Sequence, residues 1–201
     1  MLSKKEQIWR YILEAALSKE RILNFEQKVI AERLKISTST VFNALKVPRQ
    51  SGAVAVRGRG FELRDIEKLL TIWATVRNVK KDIIYETRVD DTIQHVESGL
   101  PGSVIFGAYS AYKFRFKDSP ADYDKVIAYA KDTMAVREVQ KRFPSKKGNA
   151  NLVILEADEH LYSFGGLVPL SQLFADLWNL SDWFAKDYLD ALRRRLNMSP
   201  Q

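Results

Sequence analysis

The chain of 201 residues predicts a two-part molecule of mixed α and β structure. A small helical domain closed by a β-hairpin comes first, followed by a small mixed α/β domain. Three observations predict it. Apolar residues recur at helical spacing through residues 4–46, and a glycine-bounded hairpin follows at 53–64. From residue 82 onward, short β-rich runs alternate with helical ones. Charge divides the chain as well: residues 1–80 hold 16 Lys+Arg against 8 Asp+Glu, a balance of +8, whereas residues 81–201 stand at −1. A basic module beside a neutral one suits a polyanion-binding head with a separate body.

The first helical stretch, residues 4–19, places Ile8, Ile12 and Ala16 on one line and Trp9, Leu13 and Leu17 on the next, which makes a broad apolar face. Phe25 opens a second, short stretch in which Val29, Ile30, Ala31 and Leu34 are expected to be buried and Glu26, Lys28, Glu32 and Arg33 to face water. The pattern breaks at Lys35-Ile36-Ser37. Ser37 suits a helix N-cap, because its hydroxyl accepts a backbone N–H left free in the first turn. A third helix over 38–46 would turn Val41, Phe42 and Leu45 inward. Ala31 supplies the small side chain needed where two helices cross closely, and Ile36 plugs the turn. The run Val29-Ile-Ala-Glu-Arg-Leu-Lys-Ile-Ser-Thr-Ser-Thr-Val41 resembles the helix-turn-helix of many bacterial and archaeal regulators. Lys35 stands where many such motifs carry a turn glycine.

Ala53–Arg57 and Phe61–Arg64 read as two strands around Gly58-Arg59-Gly60. A basic hairpin behind a recognition helix makes a winged helix-turn-helix, and residues 1–64 are assigned to it. Its chemistry suits double-stranded DNA. Thr38, Ser39, Thr40 and Asn43 are small enough to approach base edges or phosphates. Lys28, Lys46, Arg49, Arg57 and Arg59 are candidates for phosphate contacts, the two wing arginines also for an adjacent minor groove. A winged helix can also dock proteins, with Thr38, Ser39 and Thr40 on a solvated face. The charge balance and the basic hairpin favour DNA.

Asp65 is expected to cap a helix with the apolar stripe Ile66, Leu69, Leu70, Trp73 and Val76, read as a linker over residues 65–80. The second domain, 81–201, alternates strands at 83–89, 104–106, 124–130 and 152–156 with helices at 91–98, 108–114, 132–143, 168–179 and 181–196. Ser181 would cap the last helix, and Arg193, Arg194 and Arg195 would form its solvated end, complementing the helix dipole.

One constellation here bears on catalysis. Nucleotidyltransferase folds place a glycine turn after a strand and then two carboxylates one residue apart on the next strand, where they share a divalent metal. Gly107-Ala108 and Asp122-Tyr123-Asp124 follow that order, with Glu156 or Asp158 as a third carboxylate. Ala108 and the entry through Pro120-Ala121 depart from the pattern. Asp122 and Asp124 are therefore read as loop and strand-edge residues, and the domain as a degenerate relative of that fold, without catalysis. The absence of cysteine, with only two histidines, leaves no thiolate site and no conventional zinc site. No cofactor is expected.

Val168-Pro-Leu-Ser-Gln-Leu-Phe-Ala-Asp-Leu-Trp-Asn-Leu180, followed by Ala185–Leu196, resembles the carboxy-terminal signature of the AbiE-type antitoxins and related winged-helix regulators. Pro169, Gln172, Asp176 and Leu177 carry the match, with Pro120 and Tyr129 more loosely placed. The resemblance implies a nucleotidyltransferase-like second domain and a repressor binding inverted repeats at its own promoter. It also implies an antitoxin that counters its toxin without a stable complex. A palindromic operator would be met by self-association on DNA, or by two monomers on separate half-sites. Alternative readings are a metal-dependent nucleotidyltransferase using Asp122 and Asp124, or a regulator whose body senses a ligand through Tyr109, Tyr112 and Phe114. No apolar run reaches the roughly 18–20 residues of a membrane span, and the opening residues lack a signal peptide's apolar core. A cytoplasmic location is the expectation, with no membrane partner.

Overall fold

Two units make up the computed structural model, which describes residues 1–58 and 60–198. The amino-terminal unit consists of Leu2–Arg77 together with Pro169–Ala175; the carboxy-terminal unit holds Asn78–Val168 and the chain from Asp176 on, with Met1.

In the amino-terminal unit the order is α1 (Lys4–Leu17), β1 (Asn24–Glu26), α2 (Gln27–Arg33), α3 (Thr38–Ala44), α4 (Lys46–Gln50), β2 (Val54–Arg57), β3 (Gly60–Leu63) and α5 (Ile66–Val76). A capping box starts α1: Glu6 N–H donates to Ser3 Oγ at 3.3 Å, and Ser3 N–H donates to Glu6 Oε2 at 3.0 Å. Of the expected apolar face of α1, Ile8, Trp9, Ile12, Leu13 and Ala16 are buried and Leu17 is half-buried. Trp9 Nε1–H donates to Ala44 O at 3.0 Å, which fixes α1 to the end of α3. Asp65 caps α5 as expected, accepting from Lys68 N–H at 2.8 Å.

α5 is not a linker. Leu69, Leu70 and Trp73 are buried against α1, and Trp73 Nε1–H reaches Glu6 Oε1 at 3.3 Å. The division between the units falls after Arg77, within the stretch expected to join them. Of the expected stripe, Val76 lies exposed, one turn beyond Trp73.

Phe25 does not begin a helix. It sits in β1, which pairs antiparallel with β3, giving a sheet of order β1-β3-β2. Its ring stacks on Phe61 with centroids 5.4 Å apart. Gly60 permits the pairing, because a Cβ there would stand 2.2 Å from Phe25 O.

The carboxy-terminal unit runs through a 3-10 turn (Val79–Asp82), β4 (Ile83–Thr87), α6 (Ile93–Gly99), β5 (Val104–Phe106), α7 (Ala108–Phe116), β6 (Val126–Ala130), α8 (Thr133–Arg142), β7 (Leu152–Glu156) and a second 3-10 turn (Leu161–Phe164). It ends with the last turn of α9 (Leu170–Trp178) and with α10 (Ala185–Arg195). The sheet has the order β4-β7-β6-β5, with β6 and β7 parallel at its centre and antiparallel strands at both edges. A parallel pair needs a crossover, and α8 supplies it. Val126, Ala128, Ala130, Leu152 and Ile154 turn one face of the sheet to Val96 of α6 and Val139 of α8. Tyr129 points to the other face and donates to Asp176 Oδ2 at 2.6 Å.

Two expectations about α10 are overturned. Its N-cap is Phe184, with no side-chain cap bond, so the helix starts four residues after Ser181. Arg193 is only 2% exposed, with its guanidinium 5.8 Å from the Trp178 ring. Arg194 and Arg195 are the members of the arginine run that reach the surface. Among the described residues no helix is long and apolar enough to cross a membrane.

Candidate nucleic-acid interface

The turn between α2 and α3 is built by the backbone. Lys35 adopts φ +52°, the left-handed conformation that follows a helix end. Its N–H donates to Glu32 O at 3.3 Å, and Ile36 N–H donates to Ala31 O at 2.9 Å. That pair of bonds is a Schellman closure, so Lys35 does what a turn glycine does elsewhere. Ile36 is half-buried behind it.

Ser37 then caps α3. Its Oγ accepts from Thr40 N–H at 3.1 Å and shares hydrogen bonds with Ser39 Oγ and Thr40 Oγ1, each at 2.8 Å. Val41, Ala44 and Leu45 are buried. Ser39, Phe42 and Asn43 are exposed on α3 at i, i+3, i+4 spacing, and Lys46, also exposed, is the first residue of α4. Thr38 is exposed at the start of α3, and Thr40, half-buried, is turned back to the cap.

Phe42 departs from the expected inward position. It is 45% exposed, because Val41, Ala44 and Leu45 already occupy the inner face and residue 42 lies about 100° further round the helix. Arg49 covers the ring, its guanidinium carbon 4.1 Å from the ring centroid. Arg49 is itself held, with Nη2 donating to Phe42 O at 2.9 Å and Nε to Leu45 O at 3.2 Å. The residue expected at a phosphate therefore closes the end of α3. Val29, expected in the core, is also exposed; β1 fixes the start of α2 so that Ile30 and Ala31 take the buried positions.

Lys28 and Lys46 reach solvent, and Lys28 stands 3.9 Å from Glu32 on its own helix. Arg57, at the end of β2, keeps 62% of its side chain exposed, although its Nε meets Glu62 Oε2 at 2.6 Å. Arg64 approaches the same carboxylate at 3.7 Å. Arg59 lies outside the described residues. The structure thus gathers Ser39 and Asn43 with Phe42 on α3, places Lys46 at the start of α4, and holds Arg49 against Phe42 and Leu45.

The second constellation is not assembled. Asp122 and Asp124 are exposed in the segment before β6, not on a strand whose alternation would aim both the same way. Among the described residues no group of three or more His, Cys, Asp or Glu could hold a metal ion. Tyr123, between the two aspartates, turns inward instead and donates to Glu97, which also accepts from Lys113 at 2.8 Å. Tyr109 donates to Asp182 at 2.8 Å, and Asp182 pairs with Lys125. The rings of Tyr109 and Tyr188 meet with centroids 5.0 Å apart. Burial first, and then the neighbouring carboxylates Asp182 and Glu97, push the Tyr109 and Tyr123 phenols well above the ordinary tyrosine value. Tyr188, raised mainly by burial, is pushed up to about 12. Tyr109 and Tyr112 are fully buried and Phe114 is exposed, so these three side chains do not line one open site.

Residues 6–72 match the family model of a Crp-like helix-turn-helix domain. No curated protein and no solved structure gives a significant match to the chain. The matched span runs from the first turn of α1 into α5, and so includes the helix first read as a linker. It supports a winged-helix regulator that binds DNA.

Proposed function

We propose that this chain is a sequence-specific DNA-binding transcriptional regulator whose helix α3 reads base edges in the major groove. The observation that carries the reading is the exposed pair Ser39 and Asn43 on the second helix of a domain matched as helix-turn-helix, with Lys46 exposed just beyond it. Asn43 offers the amide that pairs with an adenine edge, Ser39 a hydroxyl that suits several bases, and Lys46 a charge for phosphate or guanine. Lys28 and the wing arginines Arg57 and Arg59 add sequence-independent affinity through counterion release.

The narrower reading is a non-catalytic repressor at its own promoter, self-associating on inverted repeats and acting as the antitoxin of a two-gene system. It rests on the resemblance carried by Pro169, Gln172, Asp176 and Leu177. Two of these are buried polar groups with partners: Gln172 Oε1 accepts from Arg10 at 2.8 Å and Asp176 accepts from Tyr129.

The test is fluorescence anisotropy on DNA from upstream of the gene, beside scrambled DNA, across a salt series. Preference for the upstream DNA that Asn43→Ala and Ser39→Ala weaken is the expected result. Equal binding to both duplexes would remove the sequence-specific reading. A promoter fusion repressed by the wild type and released by Asn43→Ala would support the repressor role.

A further inference from the structure

We propose that Phe42 is a specificity-determining residue that reads the C5-methyl group of a thymine in the major groove. The inference rests on the DNA-binding reading above and deepens it by naming the base feature recognised.

A single exposed phenylalanine is ordinary on a protein surface, so the argument lies in where this one sits and how it is held. Phe42 is exposed on α3, one turn after Ser39 and next to Asn43, outside the buried positions Val41, Ala44 and Leu45. A groove that receives Ser39 and Asn43 is therefore within reach of the ring. The ring also has a packing partner before binding. Arg49 stacks on it at 4.1 Å and is pinned by the carbonyls of Phe42 and Leu45, so less rotamer freedom is left to lose on contact.

Among the groups that base pairs present in the major groove, the thymine methyl is the apolar one; the others are hydrogen-bond donors and acceptors. A phenyl ring laid on a donor or acceptor would strip it of water and return nothing. Laid on a methyl group, it removes apolar surface on both sides from water. Burial of one methyl-sized group is equivalent to about a fourfold change in affinity, from ~0.8 kcal/mol per group. Phe42 would thus add preference for thymine at one position and little to non-specific affinity.

The probe is a duplex recovered by the full chain from a random-sequence pool. Each thymine in it is then replaced singly by deoxyuridine, which removes the methyl and leaves every hydrogen-bonding group in place. Wild-type protein should lose about fourfold in affinity at one or two positions and be unchanged at the rest. Phe42→Ala should bind the thymine duplex about as weakly as the wild type binds the uracil one, and be indifferent to the replacement. Phe42→Leu, which keeps an apolar side chain, should retain part of the discrimination. Both variants should keep the wild-type salt dependence, and Phe42→Leu, which keeps much of the packing under Arg49, separates lost methyl contact from any lowered melting temperature in Phe42→Ala.

Wild-type indifference to every replacement, or a selected site without thymine in the protected groove, would overturn the assignment while leaving DNA binding intact. Discrimination that survives in Phe42→Ala would do the same, giving the methyl contact to another residue. If no preferred duplex emerges from the pool, the DNA-reading function fails and this inference with it. An unaltered selected sequence for Phe42→Ala, together with a lost protein–protein interaction, would reassign the ring to protein docking and also overturn it.

Discussion

Lys35 holds the turn of the helix-turn-helix at φ +52°, where a residue with a Cβ carries about 1–2 kcal/mol of strain. Glycine would relieve that strain, but its greater freedom in the unfolded chain offsets about 0.4–1 kcal/mol. Lys35→Gly should therefore stabilise the protein by about 0.5–1 kcal/mol, read as a higher urea midpoint at unchanged slope. A lower midpoint would mean that the lysine side chain contributes contacts that outweigh the backbone term. The same residue illustrates how sequence can mark a position without its conformation. The missing glycine was visible at Lys35, whereas the Schellman bonds of Lys35 and Ile36 that replace it depend on where α2 stops.

Helix α3 depends on Ser37, whose Oγ caps its first turn and holds the hydroxyls of Ser39 and Thr40. Ser37→Ala should cost about 1 kcal/mol in stability, measured by urea unfolding. It should also reduce preference for the selected duplex more than affinity for scrambled DNA, because Ser39 loses its orientation; an equal loss on both would show that only helix stability had changed. The N-caps Ser37 and Asp65 were legible because capping is written in the first turn itself, and α1, α5, β5 and β7 were legible from helical spacing or short apolar runs. β1 was not. Three residues form a strand only because β3, some 36 residues later, pairs with them and Gly60 lets Phe25 approach. Phe42 was misplaced for a related reason: its apolar character suggested core, and only the crossing of α1 and α2 over α3 decides which three positions are covered. Likewise the alternation of strands and helices was readable in residues 82–156, but the order β4-β7-β6-β5 comes from long-range pairing that periodicity does not encode.

Across the whole molecule, the excess positive charge stands in residues 1–80. Binding to DNA should therefore weaken linearly in log Kobs against log salt, with each neutralised phosphate adding about 0.9 to the slope. Lys28→Ala and Lys46→Ala should each lower that slope by about 1, whereas Lys186→Ala on α10 should leave it unchanged; identical slopes for all three would reject the proposed phosphate contacts. High pH tests the other unit. Phenols that ionise less readily when folded let the unfolded chain shed protons first, so Tyr109, Tyr123 and Tyr188 contribute their full stability below the ordinary tyrosine value of 10.0. That contribution should drain away as the pH climbs towards about 12, where Tyr188 ionises in the folded state. Urea midpoints should fall between pH 10 and 12, and fall less in Tyr188→Phe; parallel curves for the two proteins would refute the linkage. Finally, the amino-terminal unit is not continuous in the chain: Pro169–Ala175 belongs to it, and within it Ser171 N–H donates to Glu14 Oε1 at 2.7 Å and Gln172 accepts from Arg10. On the ribosome, these seven residues are added roughly 5–20 s after Arg77 at ordinary elongation rates. A transcript broken between those points yields a head lacking its last piece, so truncated products should compete poorly with the finished protein for the operator.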